Sequence, residues 1–327
     1  MIRDRRFLWY PAVMLGCILA VWSSASAQPL PAASAALPSA SSGPRTDADK
    51  PSTTTLYVGL FNGQTVNLYD ASGNGQPTSQ LFDGLGNITG GVAVDRQKRV
   101  YVSTGSGLVM VFPGGGFVPM QRYRFPDQYS PGYPLGIAVG ADGTLYAPLN
   151  IAGVVAAYPK GDTQTASLTI TMPSGTTAMA AAVDDQNNLY IEYGPPKYPS
   201  PGYIEKCPPN SDQCVDLGIT LSAPGYNLVV DSEGNLIACD ELAAQIDVFA
   251  PGSTQPRVIS QGLTGCPFFA LDKKQGRLFV GNQKHDGSNQ GSISVFDYAS
   301  GTLVNTISGG IPSGDLIFGV ALSPAVR

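Results

Sequence analysis

The stretch GVAVDRQKRVYV at 91–102 returns at 136–147 as GIAVGADGTLYA, then as AAAVDDQNNLYI, NLVVDSEGNLIA and FFALDKKQGRLFV. Each copy reads as an apolar strand, a polar turn and a second apolar strand. Aligning the second-strand aromatic or its substitute gives Tyr57, Tyr101, Tyr146, Tyr190, Ile237 and Phe279, at intervals of 44, 45, 44, 47 and 42 residues. Val94 to Tyr101, Val139 to Tyr146, Val183 to Tyr190 and Val230 to Ile237 are each seven apart, and only Leu271 to Phe279 is eight. A register kept this closely makes each unit one module that buries its apolar face against its neighbours.

Each unit then supplies a third strand, such as LVMVFP, VVAAYP or SISVFDY, and a more polar fourth, such as TASLTITMP or PRVISQG. Four short strands per unit, punctuated by Gly and Pro, is the pattern of a propeller blade. The series opens at a second strand, LYVGL, and finishes with an orphan first strand, FGVALSP at 318–324. Joining the two leaves no free edge. The expected fold is all-β: a six-bladed β-propeller over 53–327, its ring closed by the C-terminal strand joining the N-terminal blade. The pattern GVAVD…G.LYV…I.VF resembles the NHL-repeat type of six-bladed propeller across 56–324. Segments such as VFAPGSTQP are similar to those of secreted bacterial NHL-like proteins of unassigned role.

Ahead of the repeats, Arg3, Arg5 and Arg6 precede an apolar run from Ala12 to Trp22 and the small-residue stretch SSASAQ. This predicts a signal peptide over 1–27, cleaved after Ala27, and an exported, periplasmic or extracellular protein. The run is shorter than the ~20 residues of a membrane span, so no transmembrane segment is expected. MLGC, ending at Cys17, is the rival lipid-anchor reading. Residues 28–52, rich in Pro, Ala and Ser, read as a disordered tether. With a net charge of −5 and charged residues at only 13 %, the chain shows no run of Lys and Arg beyond the leader. A nucleic-acid partner is therefore not expected, and a monomer is.

In a blade the chain runs down the first strand, up the second, down the third and up the fourth. Second-to-third connections and those between blades therefore share one face, here called the top. Cys207 and Cys214 flank a third-to-fourth hairpin on the bottom. Cys239 ends a second strand and Cys266 lies between blades, both on top. An even number of cysteines in an exported domain favours disulfides, and the faces pair Cys207 with Cys214 and Cys239 with Cys266. No thiol metal site is expected, because those ligands would not converge.

The longest inserts, PDQYSPGYP, EYGPPKYPSPG, SAPGY and NQKHDGSNQG, all fall on the top face. They bring Tyr129, Tyr133, Tyr193, Tyr198 and Tyr226 there, flat apolar rings with polar tips suited to a protein, peptide or carbohydrate ligand. Asn150, Glu192, Asp240 and Asn282 stand near the ends of second strands, where they either rim the channel or cap turns. His285, beside Asp286, is the one histidine and a candidate general base. Gluconolactonase-type propellers look similar in outline, and that resemblance would imply a divalent metal held by Asn or Asp just before certain first strands. The matching positions are Gly90, Leu135, Met179, Tyr226, Pro267 and Phe318, which cannot supply oxygen ligands. The expectation is a non-catalytic binding module without cofactor or metal. The alternative is a hydrolase or lyase, lactonase-like, with its site at the channel mouth.

Overall fold

A computed structural model describes residues 54–72, 75–81, 85–126, 128, 132–284 and 290–323. The expected leader and tether lie outside these residues, as do Tyr129 and His285. Among the described residues there are 24 strands in six four-stranded antiparallel sheets. Blade 1 combines β24 (Ile317–Leu322), β1 (Thr55–Leu60), β2 (Thr65–Asp70) and β3 (Pro77–Leu81). Blade 2 holds β4 (Ile88–Val94), β5 (Val100–Thr104), β6 (Leu108–Phe112) and β7 (Gln121–Arg124). Blade 3 holds β8 (Ala138–Val139), β9 (Leu145–Leu149), β10 (Val154–Tyr158) and β11 (Leu168–Thr171). Blade 4 holds β12 (Thr177–Val183), β13 (Leu189–Gly194), β14 (Gly202–Cys207) and β15 (Val215–Leu221). Blade 5 holds β16 (Pro224–Val230), β17 (Leu236–Asp240), β18 (Gln245–Phe249) and β19 (Pro256–Ile259). Blade 6 holds β20 (Phe269–Asp272), β21 (Arg277–Asn282), β22 (Ser292–Asp297) and β23 (Thr302–Ile307).

The orphan strand pairs where the sequence places it. Leu56 stands opposite Leu322, Tyr57 opposite Ala321 and Val58 opposite Val320, so the ring closes through its own termini. Both expected disulfides are present, Cys207–Cys214 and Cys239–Cys266. No helix among the described residues is long and apolar enough to cross a membrane.

The constant seven-residue offset has a local cause. The aspartate after the first strand folds the turn onto itself: Asp95 Oδ1 accepts the Gln97 and Arg99 amides at 2.9 and 2.8 Å. Asp184 does the same for Gln186 and Asn188, and Asp231 for Glu233 and Asn235. Three residues on, the chain takes a left-handed conformation, at Lys98 (φ 63°), Asn187 (φ 61°) and Gly234 (φ 82°). Short polar side chains that bond to the backbone two residues ahead favour such turns.

The aligned aromatic positions are all buried, from Tyr101 at 0 % to Tyr190 at 7 % exposure. They sit between blades. Six apolar clusters occupy the six joints, one joining Tyr101 and Val111 of blade 2 to Leu145 and Tyr158 of blade 3, another joining Leu56 and Val58 of blade 1 to Phe279 and Val295 of blade 6. Burying such a side chain stabilises by about 1.5–3 kcal/mol, so a blade without its neighbours loses most of its core.

One difference from the sequence reading concerns the innermost strands. The phrase predicts a full first strand from Gly136, yet β8 pairs with β9 only over Ala138 and Val139. Gly136 instead bridges in parallel to Ala180 of the next blade, donating to the Met179 carbonyl at 3.0 Å and accepting from Ala181 at 2.8 Å. The pairing of β4, β12 and β16 with their outer neighbours also shifts register near the top. Strands converging on the axis stand as close to the next blade as to their own, and backbone groups take whichever partner satisfies them. The crowding explains Gly136 itself: a Cβ there would collide with the carbonyl oxygen of Tyr226.

Candidate functional site

The polar residues expected at the channel mouth serve the joints between blades. Asp240 and Asn282, each the last residue of its second strand, grip the residue 18 positions earlier. Asp240 Oδ2 accepts the Ser222 amide at 2.7 Å and Oδ1 accepts the Ser222 hydroxyl. Asn282 Oδ1 accepts the Thr264 amide at 2.7 Å and its hydroxyl at 2.9 Å, while Nδ2 donates to the Gly262 carbonyl and to Ser294 Oγ. These side chains hold the connection that enters their own blade.

One residue further on, the side chain reaches the next blade. Asn150 Nδ2 donates to Thr177 Oγ1 at 3.3 Å and to Met179 Sδ at 3.2 Å. Glu241 Oε2 accepts the Cys266 amide at 3.1 Å. Gln283 Oε1 accepts the Ile317 amide at 2.6 Å, and its Nε2 donates to the Ile317 carbonyl at 3.1 Å. Glu192, two residues earlier in its unit and inside β13, also crosses to the next blade, accepting the Gly225 amide at 3.0 Å. Polar side chains thus clamp four successive joints, from blade 3 round to blade 1. At the joint between blades 1 and 2 the exposed Gln64 Nε2 donates to Asn87 Oδ1 at 3.1 Å. At this joint and the one between blades 2 and 3 the chains also pack closely: a Cβ on Gly319 would press on Val92, and one on Gly90 on Leu135.

Two of these clamps are carboxyls that burial pushes towards the neutral form. Glu192 is fully buried, and burial pushes its carboxyl well above the usual range, reinforced by Asp240 and Glu241 and opposed by the Gly225 amide. Burial likewise raises Glu241 to about 8 and Asp247 to about 6, with Asp240 adding to both. Glu192 Oε2 and Glu241 Oε1 have no hydrogen-bond partner among the described residues, which a protonated acid tolerates better than a charged one. Glu241 and Gln283 were not singled out in the sequence. Their signal was available: both lie four residues after the aligned Ile237 and Phe279, as Asn150 lies four after Tyr146.

The centre of the top face is aromatic. Tyr226 stacks on Phe268 with centroids 5.9 Å apart and planes at 24°. Phe268 meets Phe318 at 5.7 Å, and Phe318 meets Phe61 at 5.1 Å. Tyr226 and Phe318 are half-buried, while Leu135 and Met179, at the matching positions of blades 3 and 4, are buried. Tyr133 and Tyr198 are also half-buried, in the surrounding loops. Tyr193 differs from expectation. It is only 8 % exposed, packed against Tyr203 at 5.7 Å, because the end of β13 turns its ring into the joint between blades 3 and 4.

Two groups of described side chains have the spacing of metal ligands: Glu205 with Cys207 and Cys214, and Glu241 with Cys239 and Cys266. In both, the sulfurs are joined as a disulfide and offer no thiolate. The top face therefore carries a run of packed aromatic rings among loops that the polar clamps hold in place.

No protein-family model matches the chain, and no curated protein sequence matches it. Solved structures do. A protein of unknown function from Bacteroides caccae aligns with a TM-score of 0.60 at 12 % identity, over 83 % of this chain and 99 % of that one. A chain in a structure of the mitotic checkpoint complex aligns with a TM-score of 0.50 at 15 % identity, over 86 % of this chain and 76 % of that one. At these identities the likeness concerns architecture, and the chain is a six-bladed β-propeller.

Proposed function

We propose that this chain is an exported, monomeric propeller of NHL-like type that binds a peptide, protein or carbohydrate on its top face without transforming it. The observation that carries the reading is the ladder Tyr226–Phe268–Phe318–Phe61, whose half-buried members lie at the centre of that face. Flat rings with free surface suit the apolar face of a sugar or the side chains of a peptide. Tyr133, Tyr198 and Tyr226 supply contacts; Tyr129 and His285, also expected to contribute, lie outside the described residues. Asn150, Glu192, Asp240 and Asn282 act by holding those loops, since each has a side-chain hydrogen bond within the ring. The two disulfides fit an oxidising compartment.

The test is a calorimetric screen of oligosaccharides and peptides, followed by Tyr226→Ala and Phe318→Ala against the ligand found. Loss of an anchoring ring should cost 2 kcal/mol or more, roughly thirtyfold in affinity. A ligand indifferent to both substitutions would refute the assignment. A lactone or ester hydrolysis abolished by a chelator would instead establish the lactonase-like alternative.

A further inference from the structure

The chain as a whole is acidic, yet blade 2 carries a cationic surface with an apolar tip. The connection between β6 and β7 presents Phe117, Val118 and Met120 at 51, 68 and 54 % exposure. Three large apolar side chains within four residues, all more than half exposed, are unusual on a surface otherwise studded with single ones. As a third-to-fourth strand connection, this segment lies on the bottom, opposite the aromatic rings.

Lys98 and Arg122 lie beside the base of that tip, and Arg124 follows further along β7, level with Leu108. Gly114, in the same connection, rests on Lys98: a Cβ there would stand 3.0 Å from the Lys98 Cβ. β7 follows directly, with Tyr123 buried and Arg122 and Arg124 exposed on either side of it. No acidic residue occurs between 96 and 126. Asp95, just before, is occupied by the Arg99 guanidinium at 2.6 Å and by its own turn, and Arg96 pairs with Asp185. Among the described residues, Lys98, Arg122 and Arg124 form no ion pair.

We propose that blade 2 docks on an anionic lipid surface, with Phe117, Val118 and Met120 entering the headgroup layer and Lys98, Arg122 and Arg124 meeting lipid phosphates. Apolar burial and attraction to anionic headgroups together are what holds a protein at a bilayer interface. An acidic protein partner would use the cations but needs a pocket for the tip. A nucleic acid would gain nothing from the aliphatic Val118 and Met120. A bilayer accepts both features without shape complementarity. Docked this way, the opposite face stays open to solution, so this inference stands whether or not the aromatic rings bind a ligand.

The experiment is co-sedimentation of the full chain with phosphatidylcholine vesicles carrying about one-third phosphatidylglycerol, at low salt. Wild type should bind these and release when the anionic lipid is omitted. Phe117→Ser/Val118→Ser/Met120→Ser and Arg122→Gln/Arg124→Gln should each lower the partition coefficient roughly tenfold. Their melting temperatures should match wild type, since the replaced side chains are exposed. Failure of wild type to sediment overturns the proposal. So does equal sedimentation of wild type and both variants, which would assign binding to another segment. If the serine variant binds as wild type does while heparin competes for the arginines, the surface reads soluble polyanions, and the lipid assignment falls.

Discussion

Glu241→Gln removes a titrating group while keeping the shape that clamps blade 5 to blade 6. Glu241 is 4 % exposed, its Oε2 accepts the Cys266 amide, and burial raises its pKa from 4.5 to about 8. In the unfolded chain the carboxyl loses its proton near the ordinary value, whereas the folded chain keeps it until about pH 8. Between those limits the unfolded state binds fewer protons, so stability falls as pH rises. The contribution is complete below pH 4.5 and gone above about 8. At about 1.4 kcal/mol per pH unit, the whole effect is about 4–5 kcal/mol. Glutamine can still accept from Cys266 and does not titrate. Urea unfolding of both proteins across about pH 5 to 8 should therefore give a wild-type curve that falls by about 3.5 kcal/mol more than the variant's, the part of the effect inside that window. Asp247 contributes equally to both proteins and drops out of the subtraction, while Glu192 differs between them only by the push it receives from Glu241. Parallel curves would show that Glu241 is charged in the folded state and refute the reasoning.

Deleting residues 317–327 removes β24, including Ile317 and Val320 at 0 and 3 % exposure, and opens an edge of β1. The expected cost exceeds about 5 kcal/mol, enough to abolish a cooperative calorimetric transition, and an unshifted transition would contradict ring closure. Asp240→Ala should destabilise by about 3 kcal/mol in urea, since the Ser222 amide and hydroxyl both lose their acceptor. Replacing Cys239 and Cys266 together with Ser releases a cross-link of sequence separation 27, worth about 3.5 kcal/mol of chain entropy. Reducing agent should lower the wild-type melting temperature towards that of the variant and leave the variant's response to the Cys207–Cys214 link alone.

The blades were legible because their signal is local and repeated. The Asp95-type turn and the aromatic seven residues after Val94 come from one hairpin, and the rule that alternate connections share a face then pairs the cysteines without coordinates. The ring closure was legible for a related reason, as the chain offers one incomplete unit at each end. What the sequence could not show was which partner a group would choose when several are near. Gly136 reads as a strand residue of its own blade, but at the axis its backbone bonds to Met179 and Ala181 of the next. Asp240 and Asn282 read equally well as channel-lining groups and as caps, and only the positions of Ser222 and Thr264 decide between them. The cations of blade 2 escaped notice because Lys98 and Arg122 are far apart in sequence and are brought to the same blade by a fold that no charge run reveals.

The pairing of β1 with β24 also sets a timetable. Synthesis delivers Leu56 among the first residues of the propeller and its partner Leu322 among the last. Until then β1 has β2 on one side and an unsatisfied row of amides and carbonyls on the other, an edge able to recruit strands from other chains. The blades between can gather their local hairpins as they emerge, but the joint between blades 1 and 6 cannot form before the final strand arrives. Contacts this distant along the chain make the last step of folding slow. A cell making this protein must keep its first strand from the wrong partner until the right one has been made.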